Sequence, residues 1–390
     1  MSLTLTINCG SSSLKFAVYE NEPTKNCLYR GQIERIGSPP GKFKVKETSG
    51  DKLFESESQA QDHHSALATI FDYLKENKVG EKITRVGHRI VFGGVEFEKP
   101  AIVDDFILGK LENLVPYAPL HMPPAVMALK SALKLLPDAT HVACFDSSFH
   151  RTNPPFIRRL PLPDELCNEG LEKFGFHGLS YEFIVERIKE LYGEEEATKR
   201  LIVAHLGHGA SICAIRDGKS FDTTMGFSPN SGLVMSTRSG ELDPGIFSYL
   251  VKEKGLSIEE IEDLVNHKSG LLAISDTTAD MVTLLKESAE GNDKARLAID
   301  VFINRVKKQL AALTASLGGV DMIVFTGGIG ENSAAIREMI LDGLKFLGIH
   351  YDPERNEASE LEITDNDSFV KVLVIPTDEE KMIAEHCRSL

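Results

Sequence analysis

The residues with the clearest chemical potential form a short loop from Asn8 to Lys15, which reads NCGSSSLK. Alternating apolar residues on both sides of the loop predict two paired strands, so the loop closes a β-hairpin. Gly10 permits a tight turn, the serines offer hydroxyl groups and close-lying amides, and Lys15 adds a positive charge, a combination that suits an anion such as phosphate. A Walker A loop would need GxxxxGK[ST] and a following helix, whereas here one glycine is followed by a β-rich segment. From this loop alone, an ordinary serine-rich β-turn is the alternative interpretation.

Two arginines, one aspartate and one histidine are candidates to stabilise the charge of a phosphoryl group during its transfer. Arg89 and Arg238 can each hold a planar carboxylate or phosphate with two parallel hydrogen bonds, although either could be a structural or surface arginine. Asp146 follows a short buried-strand pattern, so it is a candidate magnesium ligand, base or turn cap. His177 precedes a predicted helix, and it could either stabilise this charge or be a half-buried turn residue. These residue types together favour phosphoryl transfer.

Two further glycine-bearing segments extend this pattern. His205 to Gly209 lies between two strand patterns, and 203–215 resembles 6–18 in its order of strand, Gly/Ser loop and strand. An internal repeat of this kind predicts two copies of one fold, which would form a cleft if they face each other. Residues 326–332 follow a buried strand and precede a helix, an arrangement that can bind an anion or nucleotide.

Composition limits the possible classes of protein. A chain of 390 residues predicts two domains, and its 42% hydrophobic and 26% charged content is typical of globular proteins. The formal net charge of −15 argues against a nucleic-acid surface, so a phosphate ligand would depend on a few basic residues and a divalent cation. We find no signal segment and no apolar run of about 20 residues, and the six scattered cysteines show no metal spacing, so we expect a cytoplasmic protein without membrane contact.

Hydrophobic periodicity and turn residues predict the elements that position these groups. Serine and threonine residues over 269–278 predict a turn region, and Ser180 is a candidate helix cap. The expected helices cover 61–78, 125–136, 181–191, 258–267, 294–317, 336–344 and the segment from Thr377 onward. The expected strands after the hairpin cover 85–91, 141–145, 203–215 with its loop, 322–325 and 371–375.

The motifs together resemble the acetate kinase family over essentially the whole chain. They are NCGSSSLK, GHRIVFGG, APLHMPP, FDSSFH, KFGFHGLSY, HLGHGAS, STRSGELDPG, FTGGIGEN and PTDEE, in the family's order. The resemblance implies an α/β fold of the actin, sugar-kinase and heat-shock ATPase superfamily, with two similarly folded ribonuclease-H-like domains and a nucleotide cleft between them. It places the first domain at 1–150 with 378–390 and the second, which binds nucleotide and forms a homodimer, at 151–377.

The same resemblance implies roles for individual residues. The catalytic residues would be Asp146 as the active-site acid, with His177 and Arg238 stabilising the transition state. Acetate would be bound by Arg89 through its carboxylate and by Val91, Leu120, Phe176 and Pro229 around its acetyl group. ATP or ADP would be bound by Lys15, His205, Leu206, Gly207, His208, Gly209, Asp280, Met281, Val282, Gly328, Ile329, Gly330, Glu331 and Asn332. The metal, Mg²⁺ or alternatively Mn²⁺, would be held by Asn8 and Glu379.

The implied reaction is reversible, in-line transfer of the ATP γ-phosphoryl group to acetate, giving acetyl phosphate and ADP. The chain departs from the family's usual residues on the donor side, at His208, Met281–Val282, 229–232 and Ser236. Three alternatives therefore stay open: a propionate or other short-acid kinase, a kinase that uses pyrophosphate, and a non-kinase ATPase of the same superfamily. Whether Cys9, within the phosphate loop, is reactive is also left open by the sequence.

Overall fold

The computed structural model describes residues 2–10, 12–21, 26–48 and 53–390; Ser11 of the predicted phosphate loop lies outside these residues. In chain order the strands are β1 (Leu3–Cys9), β2 (Ser13–Glu20), β3 (Cys27–Glu34), β4 (Gly41–Glu47), β5 (Leu53–Ser58), β6 (Ile83–Ile90), β7 (Ala101–Ile102), β8 (Thr140–Phe145), β9 (Leu201–Leu206), β10 (Ala210–Arg216), β11 (Lys219–Thr223), β12 (Met322–Thr326) and β13 (Lys371–Val374).

The helices are α1 (His63–Glu76), α2 (Asp105–Asn113), α3 (Met122–Leu135), α4 (Pro155–Arg158), α5 (Asp164–Asn168), α6 (Gly178–Tyr192), α7 (Glu194–Thr198), α8 (Pro244–Lys254), α9 (Ile258–His267), α10 (Gly270–Ser275), α11 (Met281–Ala289), α12 (Asp293–Leu317), α13 (Gly327–Asn332), α14 (Ala334–Asp342), α15 (Pro353–Glu357) and α16 (Glu379–Ser389). Short 3₁₀ turns lie at Gly80–Lys82, Val115–Tyr117, Ser148–Thr152 and Lys345–Leu347.

The chain divides into two compact units. The first contains Met1–Phe149, Gly178–Phe183 and Asp378–Leu390, and the second contains His150–His177 and Ile184–Thr377. The first unit thus includes the start of α6, which the sequence-based boundaries leave in the second domain. The backbone N–H of Gly178 donates to the carbonyl of Asp146 at 2.8 Å, which ties this part of α6 to the end of β8. The functional domain boundaries themselves stay a prediction.

Each unit is built on a sheet, and the two sheets share one plan. In the described residues, the first sheet has the order β5-β4-β3-β2-β1-β6-β8-β7 and the second has β11-β10-β9-β12-β13. In the first sheet β1 and β2 pair antiparallel, while β6 pairs parallel with both β1 and β8. In the second, β9 and β10 are antiparallel, while β12 pairs parallel with both β9 and β13. The shared five-strand order confirms the predicted repeat and the α/β class.

Burial explains why these segments adopt their structure. All seven residues of β1 are buried, as expected for a central strand covered on both faces. Helix α1 buries the apolar side that its periodicity predicts and begins with a reciprocal Asp62–Ser65 capping box. Helix α3 carries Pro123 and Pro124 in its first turn, where their missing N–H groups have no helical partner to lose. No helix among the described residues has the length and apolar character that a membrane span needs.

Three local predictions are wrong. Ser180 does not cap α6, because the helix begins at Gly178 and His177 occupies the N-cap position. The segment 269–278 is not only a turn region: Gly270–Ser275 forms α10, because Leu271 and Ser275 are buried and tertiary packing overrides the weak local propensity. The glycine segment after β12, which we expect to form a turn before a helix, instead forms the short helix α13.

Candidate active site

Three candidate side chains of the first unit lie at one edge of its sheet. Asn8 is near the end of β1, Arg89 is near the end of β6, and Asp146 directly follows β8. Because β6 runs parallel to both β1 and β8, the carboxyl ends of these strands meet at the same edge. This is where open α/β sheets place their ligand groups.

Arg89 is the centre of this group. Its Nε lies 3.0 Å from Asp146 Oδ1, and its Nη2 donates to Asp146 Oδ2 at 2.6 Å, so the pair is bidentate. Its Nη1 donates to Asn8 Oδ1 at 3.0 Å and lies 3.1 Å from Glu379 Oε2. Burial lowers the pKa of Arg89, but the charges of Asp146 and Glu379 outweigh this and the net shift is upward. The guanidinium therefore stays charged at every working pH.

The start of α16 brings two carboxylates to the same place. Asn8 Nδ2 donates to Glu379 Oε2 at 3.1 Å and to Glu380 Oε1 at 3.0 Å. Helix α16 lies close to β6 because Gly87 has no side chain, since a Cβ there would come within 2.3 Å of Ile383 Cγ2. Glu379 and Glu380 lie in the first turn of α16, which confirms the helix predicted from Thr377 onward, and the structure adds their contacts with Asn8.

Arg30, which the sequence interpretation missed, supports this acidic turn. Its Nη2 donates to the Tyr19 hydroxyl at 2.9 Å and forms an ion pair with Asp378, while its Nη1 lies 3.9 Å from Glu380. The only signal that could have found it is strand order, because β3 lies next to β2 in the sheet. Arg30 and Arg89 bring two positive charges to four carboxylates, on Asp146, Asp378, Glu379 and Glu380.

The charge and chemistry of this cluster fit a divalent cation. The linked groups carry two more negative charges than positive ones, and Asp146, Glu379 and Asn8 present oxygen donors. Within the described part of the chain, no group of three or more His, Cys, Asp or Glu side chains is arranged to hold a metal by itself. Mg²⁺ commonly takes one or two carboxylates and completes its shell with water and substrate phosphate oxygens. The residues therefore fit a cation shared with a phosphate ligand.

Two backbone contacts hold Gly10 of the hairpin loop in position. Gly10 N–H donates to the carbonyl of Ser13 at 2.8 Å, and the ring Nε2 of His63 lies 2.8 Å from the carbonyl oxygen of Gly10. Lys15 lies in β2 with an exposed side chain. Burial raises the pKa of the Cys9 thiol to about 12, although Arg89 acts in the opposite direction. Cys9 is therefore a protonated thiol at neutral pH and a poor nucleophile.

Two further residues predicted to line the acetyl pocket lie in this unit. Val91 follows β6 two residues after Arg89 and is buried, with 9% of its surface exposed. Leu120 lies in the turn before α3 and is 39% exposed. Both are apolar, as an acetyl contact requires.

In the second unit, the side chains of His177 and Arg238 both approach Gly209. The Nδ1 of His177 lies 2.8 Å from Ser211 Oγ, and its ring stacks on His205 with 4.4 Å between centroids. A Cβ at Gly209 would lie 3.2 Å from His177 Nε2 and 3.6 Å from Arg238 Nη1. The absence of a side chain at Gly209 thus lets the two basic groups approach one short backbone segment.

His177 has an unusual backbone conformation, and Arg238 contacts a backbone carbonyl. His177 has a left-handed φ of 61°, an uncommon conformation for a residue with a side chain. Arg238 Nη1 donates to the carbonyl of Pro229 at 3.2 Å, so Pro229, a predicted acetyl-pocket residue, is in contact with the arginine. We expect a strained backbone of this kind to persist only where the surroundings determine it.

His150, a residue of the FDSSFH motif without an assigned role, supports the loop before His177. Its Nε2 lies 2.9 Å from the carbonyl of Phe176 and its Nδ1 lies 2.8 Å from Ser220 Oγ. Burial lowers the pKa of His150 to about 4, so the imidazole is neutral at pH 7. Phe176 itself is 1% exposed. His150 thus fixes the backbone of Phe176, a predicted substrate-binding residue.

A cavity of about 540 Å³ opens in the second unit. Of the residues predicted to bind nucleotide, those that line it are Gly207, His208, Asp280, Met281, Val282, Gly328, Ile329 and Asn332. The sequence interpretation missed a second set of lining residues, namely Ser236, Ala279, Leu285, Ser333, Ala334, Ala335, Glu357 and Ser359, although it noted Ser236 as a departure. The volume is typical of a small-molecule site.

Other predicted nucleotide residues lie beside this cavity and do not line it. The side chains of Leu206 and His205 are buried, and Gly330 is buried in α13. Glu331 Oε1 accepts hydrogen bonds from the backbone N–H groups of Gly327 at 2.8 Å and Thr377 at 3.0 Å. Its carboxylate therefore fixes the turn after β12.

The cavity lining combines apolar side chains with neutral polar ones and two acidic groups. Asp280 caps α11, and hydrogen bonds from Thr283 lower the pKa of its carboxyl, so it is ionised. Glu357 is the second acid, and the described lining residues include no lysine or arginine. An uncharged, partly apolar ligand group such as a nucleoside suits this lining better than a bare polyphosphate does.

Two sheets of one plan, an arginine–carboxylate cluster at strand ends and a nucleotide-sized cavity define the class as a kinase, a phosphotransferase. The sequence profile of the acetokinase family matches residues 3–385. An acetate kinase of Clostridium botulinum (strain Kyoto / Type A2) is 41% identical over 394 residues, covering 99% of this chain and 98% of that protein.

Solved structures agree with the sequence comparison. A propionate kinase of Francisella tularensis superposes with a TM-score of 0.94 at 38% identity, covering 100% of both chains. The acetate kinase of Porphyromonas gingivalis gives a TM-score of 0.89 at 37% identity, covering 100% of this chain and 99% of the other. The chain belongs to the acetokinase family, whose enzymes phosphorylate a carboxyl group.

Proposed function

We propose that the protein catalyses reversible transfer of the ATP γ-phosphoryl group to acetate, giving acetyl phosphate and ADP, by direct in-line attack. The observation that carries the proposal is the approach of His177 and Arg238 to Gly209, beside the nucleotide-sized cavity. Positive and hydrogen-bonding groups held in this way can stabilise charge on a transferred phosphoryl group. We assign this role to His177 and Arg238.

Arg89 is the proposed binding group for the acetate carboxylate. Its Nε and Nη2 donate to Asp146, and its Nη1 donates to Asn8 and lies 3.1 Å from Glu379, so of the five N–H groups of a guanidinium the second N–H of Nη2 remains for a substrate. Acetate has a pKa of about 4 to 5 and is already ionised at pH 7, so no base has to remove a proton. Asp146, engaged with both sides of the Arg89 fork, orients the arginine.

Asn8, Glu379 and Asp146 would hold Mg²⁺, with Mn²⁺ as an alternative. When bound, the cation would neutralise part of the negative charge of the phosphate groups. Lys15 would contact phosphate from β2. Glu380 and Asp378, balanced by Arg30, keep the turn at the start of α16 in position.

The cavity supports ATP as the donor rather than pyrophosphate. Pyrophosphate has no apolar part to fill this space, and the ionised Asp280 with Glu357 would repel it. The residues that depart from the family's usual pattern, His208, Met281 and Val282, line the cavity without closing it. We propose that ATP and ADP place the nucleoside here.

Phosphorylation of propionate is the second candidate function, because a structural relative is a propionate kinase. One methylene group discriminates by only about 1–3 kcal/mol in an apolar pocket. Comparing kcat/KM for acetate and propionate tests the choice: a higher value for acetate supports the proposal, and a higher value for propionate would replace the substrate.

We also propose a cytoplasmic homodimer. Helix α8 has no buried residue, and it exposes Ile246, Phe247, Tyr249 and Val251 by 40 to 52%. An apolar helix surface of this kind favours burial against a second copy. Sedimentation equilibrium should give twice the chain mass of 42.9 kDa, and a monomer at micromolar concentration would contradict the proposal.

Acetyl hydroxamate formation tests the reaction itself. Purified protein receives acetate, Mg²⁺ and hydroxylamine, with ATP or pyrophosphate in parallel and Arg238→Ala as the control. Product with ATP that the variant fails to make supports the proposal. Product with pyrophosphate alone would change the donor, and nucleotide hydrolysis that no carboxylate accelerates would favour a non-kinase ATPase.

A further inference from the structure

Arg337, in α14, is a fully buried arginine that the proposed mechanism does not use. Its side chain is 0% exposed. Its guanidinium makes five hydrogen bonds, each to an uncharged oxygen: to the carbonyls of Gly330 and Glu331 at 2.9 Å, to Asn356 Oδ1 at 2.8 Å, to the carbonyl of Asn356 at 2.6 Å, and to Ser359 Oγ at 2.9 Å. None of these acceptors is a carboxylate.

The five acceptors belong to the two sides of the cavity in the second unit. Gly330 and Glu331 are in α13, whose Gly328 and Ile329 line the cavity. Asn356 and Ser359 lie at the end of α15 and just beyond it, where Ser359 and its neighbour Glu357 line the cavity. Arg337 is not itself a lining residue. Its guanidinium therefore links two walls of the cavity without lining it: the α13 wall, which contains Gly328 and Ile329, and the α15 wall, which contains Glu357 and Ser359.

Burying a charged guanidinium without a carboxylate partner is energetically unfavourable, so its hydrogen bonds must compensate. Burial lowers the pKa of Arg337, and the charge of Glu357 only partly offsets this. The carbonyls of Gly330 and Glu331 are in the last turn of α13, where helix carbonyls lack a helical partner and carry partial negative charge. A planar, five-donor group fixes both the spacing and the angle of its acceptors, whereas an ammonium group does not.

We propose that Arg337 is a positioning residue of the donor site, and that its fork sets the separation of the α13 wall from the α15 wall and hence the affinity for the nucleoside of ATP and ADP. The inference rests on the proposed function, because it takes the cavity to be the nucleotide site. Arg337 acts through Gly328, Ile329 and Ser359 and touches no substrate.

Arg337→Lys tests the proposal because it keeps the positive charge and removes the fork. We expect the Kd for ADP, measured by calorimetry, and the KM for ATP to rise about tenfold or more, since several charged hydrogen bonds are lost. The KM for acetate should change by less than about twofold. Arg355→Lys is the matched control: Arg355 lies in α15, is 47% exposed and pairs only at 3.8 Å with Asp352 and 4.0 Å with Glu360. It should leave every constant within about twofold.

Asn356→Ala gives a second test if Arg337→Lys does not fold. It removes the acceptor of Arg337 Nε and the bond from Asn356 Nδ2 to the carbonyl of Ala334, and it keeps the other four contacts of Arg337, so we expect a rise of about threefold in the Kd for ADP. An unchanged Kd for ADP in a folded variant, or equal rises in the constants for ATP and acetate, would overturn the proposal, because a merely structural arginine gives those results.

The outcomes separate this inference from the proposed reaction. Wild-type protein that binds ADP but makes no acetyl hydroxamate would refute the reaction, while the calorimetric comparison would still decide the role of Arg337. Wild-type protein that binds no ADP would overturn both.

Discussion

Gly209→Ala places a single methyl group next to two proposed catalytic groups, His177 and Arg238. The added Cβ would lie 3.2 Å from His177 Nε2, 3.4 Å from His177 Cε1 and 3.6 Å from Arg238 Nη1. Gly209 has no left-handed φ, so alanine brings no backbone strain of its own. The perturbation is therefore confined to the neighbouring side chains.

The size of the effect follows from these distances. A contact of 3.2 Å is too short for carbon against a ring nitrogen, so the imidazole must move by a few tenths of an ångström. The imidazole of His177 can move little, because its Nδ1 is 2.8 Å from Ser211 Oγ and its ring stacks on His205. A displacement of 1 Å can cost about 100-fold in rate, so a shift of roughly 0.3 to 0.5 Å corresponds to about three- to tenfold.

The assay is steady-state acetyl hydroxamate formation, with kcat and both KM values measured. We expect kcat to fall about three- to tenfold, with the KM for acetate within about twofold. Gly109→Ala is the matched control, since nothing lies within 4 Å of its Cβ position in α2. It should leave kcat unchanged and raise the free energy of unfolding by about 0.5–1 kcal/mol. An unchanged kcat in Gly209→Ala would refute the role given to this spacing.

Three further predictions concern cysteine reactivity, pH and charge. Iodoacetamide at pH 7 should label the half-buried Cys167 and leave Cys9 unmodified in the native protein, because burial raises the pKa of Cys9 to about 12; peptide mass mapping checks this, and a Cys9 adduct with parallel loss of activity would contradict it. His150 has a folded-state pKa of about 4 against an ordinary 6.5, so its contribution to stability is present above pH 6.5 and is lost as the pH falls towards 4, by about 3 kcal/mol at most. Denaturant unfolding of His150→Asn should show a shallower loss over that range, and identical pH profiles would count against this. Arg30→Met should lower the free energy of unfolding by about 1–2 kcal/mol and make Mg²⁺ raise Tm more than in the wild type, since the acidic cluster gains net negative charge; an equal Mg²⁺ effect in both proteins would argue against the cation site.

Short-range patterns predicted the parts of the site that one segment determines. The hairpin at Asn8 to Lys15, the strand before Asp146 and the repeat between 6–18 and 203–215 follow from alternation and glycine placement, and the two sheets confirm them. Parallel strand ends then bring Asn8, Arg89 and Asp146 together, because one topology determines all three positions.

Contacts between distant segments could not be predicted in this way. Arg30 and Asp378 are 348 residues apart, and no local pattern marks an arginine of a half-buried strand as a partner for that turn. Arg337 follows the glycine segment closely, yet its role depends on Asn356 and Ser359, which only the folded chain brings near. Helix α10 was missed because six residues carry too little periodicity to outweigh the serines and threonines around them.

Direct transfer between ATP and acetate is the central claim, and the stereochemistry at phosphorus tests it most directly. ATP made chiral at the γ-phosphorus with three oxygen isotopes is incubated with the protein, acetate and Mg²⁺, and the configuration of the acetyl phosphate is determined. One in-line displacement predicts inversion of configuration. Retention would show an even number of transfers through a phosphorylated protein group and would contradict the account.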